Sequence, residues 1–358
     1  MQNKNVSLRL SGLTQLPIGV NHYYFQYIVC RSQKIVYLCI FKTKMFFLIT
    51  MINRVLIRIK TLQILFACSQ NDDRGLKTVE NELLHSLQKA YDLYFYFLLL
   101  IVEITALKQQ KTDSAKNKYL PTEDDLNPNL KLDENKFALQ LTQNEMLRDY
   151  VKENGVSWDN SRDTVRTLLN KILESDNYEA YITSDKHGYE VDRDFWRQVF
   201  KNIICTDEEL IAQLEEMSIY WNDDLEIVET FTLKTIKRFE EVNGAKQELL
   251  PMFKSDEDKE FAIELLRSVL LNEKEYKELI DKHLKNWDME RIAEMDLILL
   301  RMAIAEILNF PTIPVNVTMN EYIEIAKVYS TQKSATFING ILDALVKKLK
   351  AEKKLLKN

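Results

Sequence analysis

Seven glycines and six prolines in 358 residues leave very few places where this chain can turn sharply. Glycine supplies the left-handed and close-approach backbone of phosphate-binding loops and doubly wound sheets, so such scarcity disfavours those enzyme folds. The alternative is long helices joined by polar links. With 46% apolar and 28% charged residues, the chain can bury a core and is not globally disordered. A soluble, mainly helical protein is expected.

Charge is unevenly spread. Residues 1–50 hold six cations (Lys4, Arg9, Arg31, Lys34, Lys42, Lys44) and no acid, whereas the whole chain is at −6, so residues 51–358 carry a net −12. An acidic body does not suit non-specific coating of nucleic acid, so an RNA site has to be a local basic patch. Cys30, Cys39, Cys68 and Cys205 form no CxxC pair and no metal-like cluster with the four histidines, which fits reduced thiols in a cytoplasmic protein. Leu93–Val102 is the longest uncharged apolar run and is about half of the ~20 residues a membrane helix needs. It reads as the middle of a buried core helix.

Residues 1–50 form a basic N-terminal extension in which short aromatic and β-branched runs (His22–Cys30, Ile35–Phe41, Met45–Thr50) alternate with cations. They lack the single apolar core and cleavage site of a targeting peptide. A well-formed amphipathic pattern begins just after Met51, which favours that methionine as the natural start. Ile52, Val55, Leu56, Ile59, Leu62 and Phe66 recur at helical spacing, with Arg54, Arg58 and Thr61 on another flank. A second helix is expected over Val79–Lys108, apolar nearly all round in its second half.

Residues 110–250 change character, opening on a proline-marked polar link at Lys118–Pro128. Helices are expected near 163–174, 192–204, 207–217 and 224–241, with Trp158 and Trp221 buried beside Asx caps. The last section predicts helices over Asp258–Lys285 and Arg291–Asn309. Thr318 and Glu321 have capping-box spacing for a helix ending at Tyr329. A final apolar stripe (Phe337, Ile338, Ile341, Leu342, Leu345, Leu349) contains Asn339–Gly340, where glycine suggests close approach of another helix or a ligand. Residues 351–358 are a basic tail. No P-loop, GxGxxG, HExxH, GxSxG or EF-hand loop occurs, and acidic pairs such as Asp223–Asp224 read as solvated helix starts, so neither an enzyme nor a cofactor is indicated.

Three further segments share an order and spacing. They are Asp296–Leu297–Ile298–Leu299–Leu300–Arg301 with Glu306–Ile307–Leu308, then Ile313–Pro314 with Asn320–Glu321–Tyr322–Ile323–Glu324–Ile325–Ala326–Lys327, and finally Phe337–Ile338–Asn339–Gly340–Ile341–Leu342–Asp343. In this respect the chain resembles the NusB family of transcription antitermination factors. The opening Asn53–Phe66 is similar to that family's basic first helix with its Q-x-L-(Y/F) ending. The resemblance covers roughly 51–105 and 256–350. It implies an all-α, NusB-like helical bundle of two subdomains, with N-terminal helices in 51–109, a helical insertion at 110–250 and a C-terminal domain at 256–350. It further implies binding of boxA-type single-stranded RNA together with NusE, a small-subunit ribosomal protein, so that RNA polymerase reads through terminators on ribosomal RNA operons.

Carried over position by position, the resemblance implies phosphate contact by Arg54, Arg58 and Lys60, and places Phe66 at the RNA surface. It implies base contact by Phe337 and a NusE contact by Asp296. The family's run of arginines is thinned here to Arg54, Arg58 and Lys60, while Lys333 stands where the family is often acidic and adds a cation. Two other readings remain. One is a non-enzymatic protein-interaction scaffold in the transcription machinery whose core has lost RNA affinity. The other is the RNA-binding appendage of a ribosomal RNA cytosine methyltransferase, which the lack of a glycine-rich cofactor domain argues against.

Overall fold

The computed structural model describes residues 24–29, 35–40, 50–70, 75–120, 122–284 and 289–355. It divides into a unit spanning Met1–Leu48 and a body spanning Ile49–Asn358. In the first unit, β1 (Tyr24–Val29) and β2 (Ile35–Ile40) pair antiparallel, with Tyr24 opposite Ile40 and Val29 opposite Ile35. Two of the β-branched and aromatic runs thus become strands, as such residues favour a pleated backbone. They are the only strands among the described residues, and the expected all-helical architecture describes the body.

The first two helices of the body organise the rest. Asn53 caps α1 (Arg54–Ser69), its side chain accepting from the Leu56 N–H at 2.9 Å. The preceding residues are pinned by their backbone, Met51 N donating to Pro251 O at 3.0 Å and Ile52 N to Met252 O at 2.9 Å. Next, α2 (Leu76–Lys116) runs for 41 residues and about 60 Å. By length and composition it is apolar enough to cross a membrane, yet 67% of its most apolar window is buried inside the body. Leu93–Val102 lies at its centre, and Leu93, Tyr94, Phe95 and Phe97–Ile101 are buried, as expected for a core helix.

The insertion wraps this pillar with α3 (Glu123–Leu126), α4 (Lys136–Gln143), α5 (Glu145–Asn154), α6 (Arg162–Leu173), α7 (Asp176–Thr183), α8 (Tyr189–Asn202), α9 (Glu208–Met217) and α10 (Leu225–Arg238). Helices α4, α5, α6 and α10 pack directly on α2. Trp158 and Trp221 are buried as expected, and each indole satisfies its N–H on the pillar, at Tyr96 O (3.0 Å) and Lys89 O (2.7 Å). Tyr94, fully buried, exchanges hydrogen bonds with Thr235 of α10 and with the Leu250 N–H.

The C-terminal section is α11 (Asp256–Leu271), α12 (Glu273–Asp281), α13 (Glu294–Asn309), α14 (Val315–Tyr329) and α15 (Gln332–Ala351). One helix was expected over Asp258–Lys285, but it breaks at Asn272, so the apolar stripe continues through two shorter helices. Helix α13 is buried on every side among α1, α11, α12, α14 and α15. The capping-box expectation at Thr318 is corrected. Helix α14 starts at Val315 behind Pro314, and Thr318 lies inside it, donating its hydroxyl to Glu306.

Candidate nucleic-acid interface

The cations expected to form one basic strip fall in different environments. Arg54 Nε donates to Asp258 Oδ1 of α11 at 3.2 Å, and its guanidinium lies 5.0 Å from the centre of the Phe261 ring. Its side chain remains 37% exposed, so its charge is shared between this acid and solvent.

Arg58 is different. It is 2% exposed and grips Glu306 of α13 through two hydrogen bonds, Nε at 2.8 Å and Nη2 at 2.7 Å, while Nη1 reaches Glu321 of α14 at 3.3 Å. Glu306 is itself fully buried and also accepts from Thr318 Oγ1 (2.8 Å) and Tyr322 OH (3.1 Å). Burial alone would lower the Arg58 pKa, but the hydrogen bonds and charge of Glu306 more than offset it and hold the guanidinium above its ordinary value. The expectation that Arg58 contacts phosphate is therefore corrected: its fork is used on a carboxylate inside the protein.

Lys60 is corrected on the same ground. It lies about 200° round α1 from Arg58 and is 1% exposed. Its Nζ is 2.7 Å from Tyr220 O and 2.7 Å from Asp224 Oδ2, both in the turn between α9 and α10. Burial pushes the Asp224 carboxyl up to about 6, with Lys60 pulling it back down. Gln63, one turn on, donates to Asp223 Oδ2 at 2.8 Å. Phe66 is 37% exposed and stands near the open end of the helix.

Helix α15 presents the other face. Thr331 caps it by accepting from the Ser334 N–H at 3.1 Å. Lys333, Thr336, Phe337, Gly340, Ala344 and Lys347 recur at three- and four-residue steps and so share one side. Phe337 is half-buried and the other five are exposed. A Cβ added at Gly340 would meet nothing within 4 Å. The expectation that another helix closes on this glycine is thereby corrected, and the stripe stays open along its length. Asp343, exposed on the same side, pairs with Lys347 at 2.6 Å, so Lys333 and the Phe337 ring are what this face offers to a phosphate and a stackable base.

Asp296, expected to project beside the apolar stripe as a partner-facing acid, is instead 6% exposed in the first turn of α13. Its Oδ1 has no hydrogen-bond partner among the described residues. Arg301, on the same helix, is also buried, with Nη1 at 2.5 Å from Glu273 and Nη2 at 3.5 Å from Glu294. Sequence pattern gave Glu306 no role, made Glu321 the capping-box partner of Thr318 and took Asp224 for a solvated helix start, which its complete burial corrects. The only signal for the observed roles of the first two was their place in the quoted family segments, since spacing says nothing about a partner some 250 residues away. Among the described residues no group of three metal-binding side chains occurs.

The antitermination protein NusB of Salinibacter ruber is 40% identical over 120 residues, which cover 32% of this chain and 75% of that protein. The chain belongs to the NusB family. The family's sequence profile matches residues 231–347, from the middle of α10, inside the section expected to be an insertion, through most of α15, and leaves α1 and α2 outside the match. NusB of Koribacter versatilis is 42% identical over 99 residues (28% of this chain, 68% of that one), and NusB of Chloroherpeton thalassium 45% over 94 residues (26% and 44%). A solved structure of T. maritima NusB shares 28% identity across 44% of this chain and 95% of its own, with a TM-score of 0.26. The family members named here are transcription antitermination proteins, and the chain is longer than those it matches.

Proposed function

We propose that this protein is a cytoplasmic, non-enzymatic transcription antitermination factor. In this reading it binds boxA-type single-stranded RNA together with NusE and helps RNA polymerase read through terminators, notably on ribosomal RNA operons. The observation that carries the reading is the 40% identity to the Salinibacter ruber protein across three-quarters of that protein's length. The open face of α15 supports it. Lys333 supplies a cation, Phe337 a ring for one base, and the partly exposed Arg54 of α1 a second cation. Aromatic stacking contributes about 1–3 kcal/mol per base, and a few phosphate contacts set the remaining affinity.

Filter binding to a boxA-type RNA, with and without NusE, tests the reading. Binding that tightens when NusE is added is expected, and no binding in either condition refutes it. The alternative, a protein-interaction scaffold with little RNA affinity, draws on the burial of Arg58 and Lys60 and on the acidic insertion. It predicts NusE binding without RNA binding in the same assay.

A further inference from the structure

Between Asn202 and Leu233 the insertion carries nine carboxylates and no lysine, arginine or histidine. The middle of this stretch, the turn from α9 to α10, packs directly on α1. Asp224 and the Tyr220 carbonyl take the charge of Lys60, and Asp223 takes the amide of Gln63. The turn does not hang free. Trp221 is 3% exposed, its indole N–H is held by Lys89 O of α2, and its ring meets Tyr96 edge-on at 5.1 Å. Tyr220 packs against His85 of the same pillar at 5.3 Å. On the far side of α1, Arg58 is already consumed by Glu306.

We propose that residues 218–226 are a fixed acidic cover built into the insertion, which excludes nucleic-acid phosphate from the Lys60–Gln63 flank of α1. The inference rests on the RNA reading given above and goes beyond it by assigning the insertion a role in the path of the strand. A carboxylate and a carbonyl occupy the positions around Lys60 that two phosphate oxygens would take. Asp223, exposed, and Glu226, half-buried, extend the same negative field outward, and like charge repels a phosphate backbone. Because the cover is anchored by a buried tryptophan, it acts by charge and occupancy rather than by opening.

The test measures anisotropy of a labelled single-stranded RNA oligonucleotide with the full chain across a salt series. Replacing the buried pair (Lys60→Met with Asp224→Asn) is expected to leave affinity within two-fold and the salt slope unchanged. Neutralising the outer charges (Asp223→Asn with Glu226→Gln) is expected to raise affinity at least three-fold at low salt, a gain that fades as salt screens the charges. A slope reduced by about one in the first variant, or unchanged affinity in the second, overturns the cover. If the wild-type chain binds no RNA, the function proposed above fails. The cover is then decided by the second variant alone: gained binding upholds it and no gain overturns it. Thermal melting checks that each variant is folded. If the buried-pair variant is not, Gln63→Ala takes its place with the same expectation.

Discussion

Arg58 and Glu306 sit 248 positions apart and meet at 2.7 Å with almost no exposure. Removing one member of such a pair leaves the other as an uncompensated buried charge, which costs about 3–5 kcal/mol. Arg58→Met should therefore lower the unfolding free energy by that amount in a urea titration. A loss below about 1 kcal/mol would contradict the role of this pair in joining α1 to α13 and α14. Glu229 offers a second test. Burial first, and then the Glu226 carboxylate, push its pKa up to about 8 from 4.5, with a Cys205 hydrogen bond pulling the other way. The folded pKa is the higher one, so the contribution is full below pH 4.5 and is lost as pH rises through 8. Asp224, raised to about 6, acts in the same sense at lower pH, whereas Lys234, lowered to about 8, acts in the opposite sense as pH approaches 8 and levels the fall there. Stability should thus fall between pH 6 and 8 by up to about 1.4 kcal/mol per unit. Glu229→Gln should flatten that slope in denaturant titrations at pH 6, 7 and 8, and parallel slopes would contradict the assignment. At this scale the sequence was least informative. Arg54, Arg58 and Lys60 look alike in a helical pattern, and only tertiary partners from α11, α13, α14 and the insertion separate a half-open arginine from two buried cations.

At the level of elements, periodicity served well where apolar stripes are long. The expected helices at 163–174, 192–204, 207–217 and 224–241 are found within a few residues as α6, α8, α9 and α10. The short helices α4, α5 and α7 were missed because eight to ten residues make only two to three turns and carry little periodic signal. Thr318 misled because its residue type suits a cap, yet Pro314 had already begun the helix and the hydroxyl was needed by Glu306. Gly340 misled in the opposite direction, since a glycine in a helix suggests a close neighbour and here the space is open. Gly340→Ala should consequently stabilise the chain by about 0.5–1 kcal/mol, read as a higher midpoint of thermal unfolding. A lower midpoint would contradict the open face. A raised midpoint with weakened RNA binding would assign the missing side chain to ligand approach.

For the whole molecule, the glycine-poor composition and the three C-terminal segments made the helical body and its family legible from the residues alone. The opposing charge of the extension and the body was equally plain. How the insertion sits against α1 was not, because that depends on Trp221 and Lys89 meeting across 132 positions. The proposed function places single-stranded RNA on Lys333 and Phe337 of α15, a local site on an acidic helical protein. The most direct measurement is the salt dependence of binding to boxA-type RNA, in the presence of NusE, for the wild-type chain and for Lys333→Ala. Loss of one phosphate contact predicts a slope of log affinity against log salt shallower by about 0.7, the single-strand value per neutralised phosphate. Identical slopes, with binding otherwise intact, would contradict the placement of RNA on α15.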